Sequence, residues 1–233
     1  MREDINIPKI GIVYLLPHNV CREDFFMSSN NLSSIDRKKE NIRKIAVIGI
    51  MSAVSAVLMM LSFNIPIMPS FIKMDFSELP ALITAFSLGP VSGVIVCLIK
   101  NLINLMFTTT AGVGELSNFV LGACLVFPAG LIYKKMKTRK GALIGAVVGS
   151  LIMAVLSIPW NYFITYPAYI NILNFPLEAI LGMYKAINPN VDGLMQALLV
   201  FNLPYTFCKG IVISLLTFFL YKKLSPIIKG KKR

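Results

Sequence analysis

Residues Ile45 to Phe63 run for nineteen positions without a charged side chain, close to the roughly 20 apolar residues a helix needs to cross the hydrocarbon of a bilayer. Five further apolar segments follow: Leu79–Leu88, Val91–Phe107, Leu116–Tyr133, about Gly141–Trp160 and about Ala197–Tyr221. In lipid every backbone polar group needs an internal partner, so only helices and closed barrels span, and runs of this length select the helix. Composition agrees, with 56% hydrophobic residues, 15% charged residues and a mean hydropathy of +0.71, outside the range of soluble domains. The expected fold is an all-α membrane protein with six transmembrane helices. Its 233 residues leave no room for a soluble catalytic domain as well.

The net charge of +12 would suggest nucleic acid in a soluble protein, but the positions of the cations give it another meaning. Sixteen of the 23 lysines and arginines lie in residues 37–44, in the 134–140 connector or after residue 221. The loops on the opposite side hold only Lys73 and Lys185. By the positive-inside rule, both termini and the 134–140 connector are expected in the cytoplasm of a multi-pass cell-membrane protein. The 64–90 loop, residues 108–115 and residues 161–196 are then external, and no nucleic-acid partner is expected. Residues 1–44 read as an N-terminal cytoplasmic extension, weakly ordered over 1–36, with a misassigned start codon as the bland alternative. They lack the basic start, apolar core and cleavage site of a signal peptide. Residues 45–223 form the membrane domain, and 224–233 a basic tail.

The stretch Asn64 to Pro90 fits this scheme least comfortably. Within fifteen residues it places three prolines, Lys73, Asp75 and Glu78 between apolar runs. Ionisable groups and unpaired backbone cost several kcal/mol each in hydrocarbon, so the segment must be sheltered. It is read as a loop, lid-like over 64–77, that folds over a cavity at the outer face and gates a ligand. Ser77 with Pro80 close behind resembles a helix start, and Asp75 and Glu78 would favour the positive end of that helix.

Two cations lie inside apolar runs, Lys100 and Lys209. Each must snorkel, find a partner or face a wet cavity. Lys209 is too deep to snorkel easily and reads as a ligand group or half of a structural pair. Lys100, beside Asn101 and Asn104, reads equally as a ligand group or as the partner of a carboxylate such as Glu115. Trp160 to Tyr169 has the composition of an aromatic interfacial belt, although the amide of Asn161 suits a heterocycle edge with imide-like groups. On the first helix Gly49 recurs with Ala53 and Ser52 with Ala56, a spacing that allows close helix contact, either with this chain's own helices or with a partner. Cys21, Cys97, Cys124 and Cys208 are read as small buried hydrophobes rather than disulfides. The only histidine, His18, makes no four-ligand zinc pattern, so no metal is expected. Neither HExxH, GxSxG, a Walker loop nor paired carboxylates within a span are present, so no catalysis is expected, and any ATP-driven step would need another chain.

Five motifs in order along residues 44–225 resemble one known family: PSFIKMDFSELPALITAFSLGP at 69–90, LIKNLINL at 98–105, GVGELSNFVLGA at 112–123, NYFITYPAY at 161–169 and LPYTFCKGIVIS at 203–214. They resemble the S components of energy-coupling factor (ECF) vitamin transporters, specifically the riboflavin-specific, RibU-type group. The resemblance implies a six-helix S-component-like bundle that captures riboflavin outside with high affinity. It implies association with a transmembrane coupling subunit and two cytoplasmic ATPase subunits, toppling to release the vitamin inside, and no cofactor beyond the transported flavin. It makes the 64–77 loop the lid of the flavin pocket and puts Asn161 and Lys209 among the polar groups that read the pyrimidine-like edge. Where such sequences read PFNxxKG, this chain has Pro204-Tyr205-Thr206-Phe207-Cys208-Lys209-Gly210, keeping a hydroxyl at Thr206 and losing an amide. The candidate ligand-binding set is Phe71, Lys73, Met74, Asp75, Leu79, Glu115, Asn161, Tyr162, Thr206 and Lys209. The small-residue stripe Gly49, Ser52, Ala53 and Ala56 becomes a candidate surface for the coupling subunit. An S component for another vitamin, a stand-alone secondary carrier and a membrane enzyme are the competing readings.

Overall fold

A computed structural model describes the backbone of residues 20–229 and the side chains of residues 37–221. The weakly ordered extension expected over 1–36 lies outside the described residues up to position 19, as does His18. The chain divides into two compact units, Met1–Lys44 and Ile45–Arg233. In the first, the described backbone is helical, and Lys44 pairs with Glu40 one turn earlier at 2.7 Å.

Each apolar segment of the sequence is helical. Helix α1 spans Val20–Met60, α2 Glu78–Leu88, α3 Pro90–Asn104, α4 Val113–Met136 and α5 Arg139–Trp160. Next come α6 (Tyr166–Ile172), α7 (Leu177–Lys185), α8 (Leu194–Ala197) and α9 (Leu203–Lys229). Among the described residues five helical segments are long and apolar enough to cross a membrane: Arg37–Met60, Pro90–Phe107, Val113–Met136, Arg139–Ile172 and Leu194–Tyr221. The sixth, α2, has 11 residues and reaches only about 16 Å at 1.5 Å per residue, half of a hydrocarbon core of about 30 Å.

The shortness of α2 is tolerated because the helix is enclosed. It packs on α3, α4 and α9, and Ala81, Leu82, Ala85 and Phe86 join Val96, Leu125, Val126 and Ile213 in the main core. Gly89, with a φ of 109°, makes the reversal into α3 that the Gly89-Pro90 pair predicts. The packing of α4 on α5 depends on absent side chains. A Cβ on Gly149 would sit 2.4 Å from the Leu125 carbonyl oxygen, and one on Gly145 2.7 Å from that of Ala129.

Helix boundaries around residues 161–202 differ from expectation. The fifth segment does not stop at Trp160 but continues through a π-helical stretch, Asn161–Thr165, into α6, and a second such stretch, Leu198–Asn202, joins α8 to α9. Proline explains both. Pro167 and Pro204 cannot donate to the carbonyls of Phe163 and Val200 four residues earlier, so the ladder widens there instead of breaking. The expected Asn161–Gln196 loop is thus partly helical. Tyr166 and Tyr184 lie buried in a second core with Ile180 and Leu198, so Tyr166 is not part of an interfacial belt. Cys97 is buried as expected, whereas the thiol-bearing Cys208 is exposed.

On α1 the two small-residue pairs occupy different faces. Gly49 and Ala53 are exposed, while Ser52 and Ala56 are buried against the chain's own interior. That burial removes Ser52 and Ala56 from any partner surface.

Candidate ligand site and its lid

The 64–77 loop is organised by a two-residue ladder. Strand β1 (Phe63–Asn64) pairs antiparallel with β2 (Lys73–Met74), placing Phe63 opposite Met74 and Asn64 opposite Lys73. So short a hairpin is marginal alone and is fastened from outside. Tyr205 on α9 donates its hydroxyl to the Lys73 carbonyl at 3.0 Å and to Met74 Sδ at 3.7 Å. Phe71 stands edge-on to Tyr166, Tyr169 and Tyr184, with ring centroids 6.1, 6.3 and 6.2 Å away. Met74 is buried, while the Lys73 side chain is exposed.

Directly after β2 lies a ring of five polar side chains. Lys209 donates to Asp75 Oδ2 at 2.9 Å; Asp75 Oδ1 accepts from the Ser77 hydroxyl; Lys100 donates to that hydroxyl and, at 2.9 Å, to Glu78 Oε1. The circuit closes where Glu78 Oε2 stands 3.4 Å from Lys209 Nζ. Two carboxylates and two ammonium groups balance, as burial of charge requires. Burial opposes ionisation of Asp75, but Lys209, Lys100 and the Ser77 hydrogen bond outweigh it and hold its carboxyl well below the usual range. Asp75 Oδ1 also accepts from the Ser77 amide at 2.9 Å. The helix-start reading therefore transfers from Ser77, which makes no side-chain cap, to Asp75. Ser55 on α1 donates to the Ser77 carbonyl, tying this turn to the first span.

Lys100 thus pairs with Glu78 and not with Glu115. Glu115 accepts from Asn104 (3.3 Å), Thr108 (2.8 Å) and Thr110 (3.2 Å), an arrangement that organises the turn before α4. Asn161 and Thr206 are buried, and among the described residues neither side chain has a protein hydrogen bond. Tyr162 is half-buried against the second core, and Leu79 against the first.

Several polar residues at this end were not anticipated. Tyr166 and Tyr184 share a 2.6 Å hydroxyl contact, and Tyr184 donates to Asn202 Oδ1 at 2.7 Å. Burial pushes the Tyr184 phenol well above its ordinary pKa. Ser117 contacts Thr165 at 2.8 Å and accepts from Trp160 Nε1 at 3.2 Å. An asparagine inside an apolar run, as Asn202 is, was the available signal.

A cavity of about 610 Å³ opens between lid and α9, walled by Ile65, Ile67, Met68 and Met74 on one side and by Phe201, Tyr205 and Lys209 on the other. It is mostly apolar with few polar groups and of ligand size. Asn161 and Thr206 do not line it. Among the described residues no group of three or more His, Cys, Asp or Glu side chains could hold a metal.

Comparison with known proteins gives consistent results. The family model described as "ECF transporter, substrate-specific component" matches residues 43–221. A protein named riboflavin transporter RibU, from Staphylococcus aureus (strain TCH60), is 34% identical over 83% of this chain and 97% of its own length. Riboflavin transporter FmnP of Bacillus subtilis (strain 168) is 31% identical over 82% of this chain and 96% of its own. A solved structure, "Structure and mechanism of the S component of a bacterial ECF transporter", superposes with a TM-score of 0.63 at 31% identity, covering 80% of this chain and 97% of that one. A multi-pass apolar bundle whose family match starts at residue 43 and runs to the end of the last described span leaves one assignment: the chain belongs to the substrate-specific components of ECF transporters.

Proposed function

We propose that this protein is the riboflavin-binding subunit of an ECF transporter, capturing the vitamin at the outer face and delivering it with an ATP-driven module. The observation that carries the substrate is the near full-length match to relatives named as riboflavin transporters. The chemistry of the outer end supports it. An isoalloxazine ring needs apolar and aromatic walls, which the lid, Phe201 and Tyr205 provide, and polar partners for its imide-like edge. The polar side chains in the wall of this cavity are Asn188, Tyr205 and Lys209, whereas Asn161 and Thr206, buried without protein partners, lie outside its lining. Riboflavin is cargo here rather than a cofactor.

The distribution of lysine and arginine supports cytoplasmic termini and an external lid. A transmembrane coupling subunit and two ATPase subunits complete the transporter, with the exposed Gly49 and Ala53 face of α1 as the surface offered to the coupling subunit. The test of the substrate is the ligand retained after purification from cells grown with mixed vitamins. Riboflavin in the denatured extract is expected; thiamin, biotin or folate in its place contradicts the assignment. Uptake by the isolated protein in liposomes, without ATPase subunits, would contradict the partner requirement.

A further inference from the structure

We propose that Lys209 is a two-position latch for the lid, holding Asp75 when the lid is closed and passing to Glu78 when it opens. The inference rests on the capture function above, since a lid needs a ligand to retain. Asp75 follows β2 immediately and is the only charged member of the ring carried by the loop itself. Lys100, Ser77 and Glu78 belong to the start of α2 and to α3 and have their own contacts. Opening the lid therefore has to break the 2.9 Å contact between Lys209 and Asp75.

Breaking a buried ion pair normally strands a charge, which is strongly unfavourable. Here a second acceptor waits. Glu78 Oε2 is buried without a hydrogen bond and stands 3.4 Å from Lys209 Nζ. In the closed state Lys209 is therefore already an ion-pair partner of Glu78, at 3.4 Å and without a hydrogen bond. A small shift of the lysine head would turn that ion pair into a hydrogen bond while releasing Asp75, so Lys209 keeps a carboxylate in both states. The Tyr205 hydroxyl contacts at Lys73 and Met74 break in the same movement, so Tyr205 and Lys209 of α9 fasten the lid together. Asp75 is then a positioning residue for ligand exchange, acting through the lid.

Hydrogen–deuterium exchange on the ligand-free protein in detergent tests this without reference to flavin. In Asp75→Asn, exchange of amides 64–74 is expected to rise about tenfold, the scale of one charge-assisted hydrogen bond, while α2 and α3 keep their protection. Asp75→Glu, which restores the charge, should recover most of it. In Glu78→Gln the lid should stay closed, with the loss of protection falling on α2 and α3. Wild-type lid exchange in Asp75→Asn, or equal acceleration through α2 and α3, overturns the latch whether or not the protein binds flavin. Failure of flavin binding with the lid response intact would instead overturn the functional reading alone.

Discussion

Lys100 has no exposed surface and is held by Glu78 and the Ser77 hydroxyl. Removing its charge leaves three charged ring members, Lys209, Asp75 and Glu78, with a net negative charge in a low-dielectric interior. Lys100→Met is therefore expected to destabilise the fold by about 3–5 kcal/mol, seen as a lower unfolding temperature in detergent. Adding Glu78→Gln should return much of the loss, because the charges balance again. That Lys100 and Lys209 needed explaining was legible in the sequence, because a lysine in an apolar run has few options. Their partners were not. The contacts join residues 22 and 134 positions apart, and nothing in a single chain's pattern chooses Glu78 over Glu115. Glu115 instead meets nearby Asn104, Thr108 and Thr110, and Ser77 serves the ring rather than the helix cap.

The elements divide by what holds them. Helices α4 and α5 approach through glycine, so Gly149→Ala has to push its new carbon away from the Leu125 carbonyl. An overpacking cost of about 1–3 kcal/mol is expected as a lower unfolding temperature, with flavin binding retained in the folded fraction. The lid is held by side chains at its rim, and replacing Met68 to Met74 with a flexible linker should speed flavin release while the circular-dichroism helix content is unchanged. Phe71→Ala should act in the same direction more weakly, since each aromatic pair contributes about 0.5–1.5 kcal/mol. Apolar run lengths made the five long apolar helices of the described residues legible, and also the brevity of α2. The continuation of α5 past Trp160 was less so, because the polar, proline-bearing NYFITYPAY reads locally as loop. In retrospect Pro167 and Pro204 mark the π-helical stretches, each falling four residues beyond a carbonyl in the widened turn. Periodicity alone also made the Ser52 and Ala56 pair equivalent to Gly49 and Ala53, although only packing decides which face points inward.

At the scale of the whole molecule, orientation and cargo each have a direct readout. With termini in the cytoplasm, a cysteine placed at Thr109 in an otherwise cysteine-free protein should react with a membrane-impermeant maleimide in intact cells, and one at Lys137 only after lysis. Bulky replacements on the exposed face of α1, such as Gly49→Leu with Ala53→Leu, should prevent co-purification with the coupling subunit and leave flavin binding intact. The most direct test of the account is titration of purified, folded protein with riboflavin, followed by flavin fluorescence. Saturable quenching at one flavin per chain, unaffected by excess thiamin or biotin, is the expected result; unquenched fluorescence with a protein whose helix content and unfolding transition are normal would contradict it.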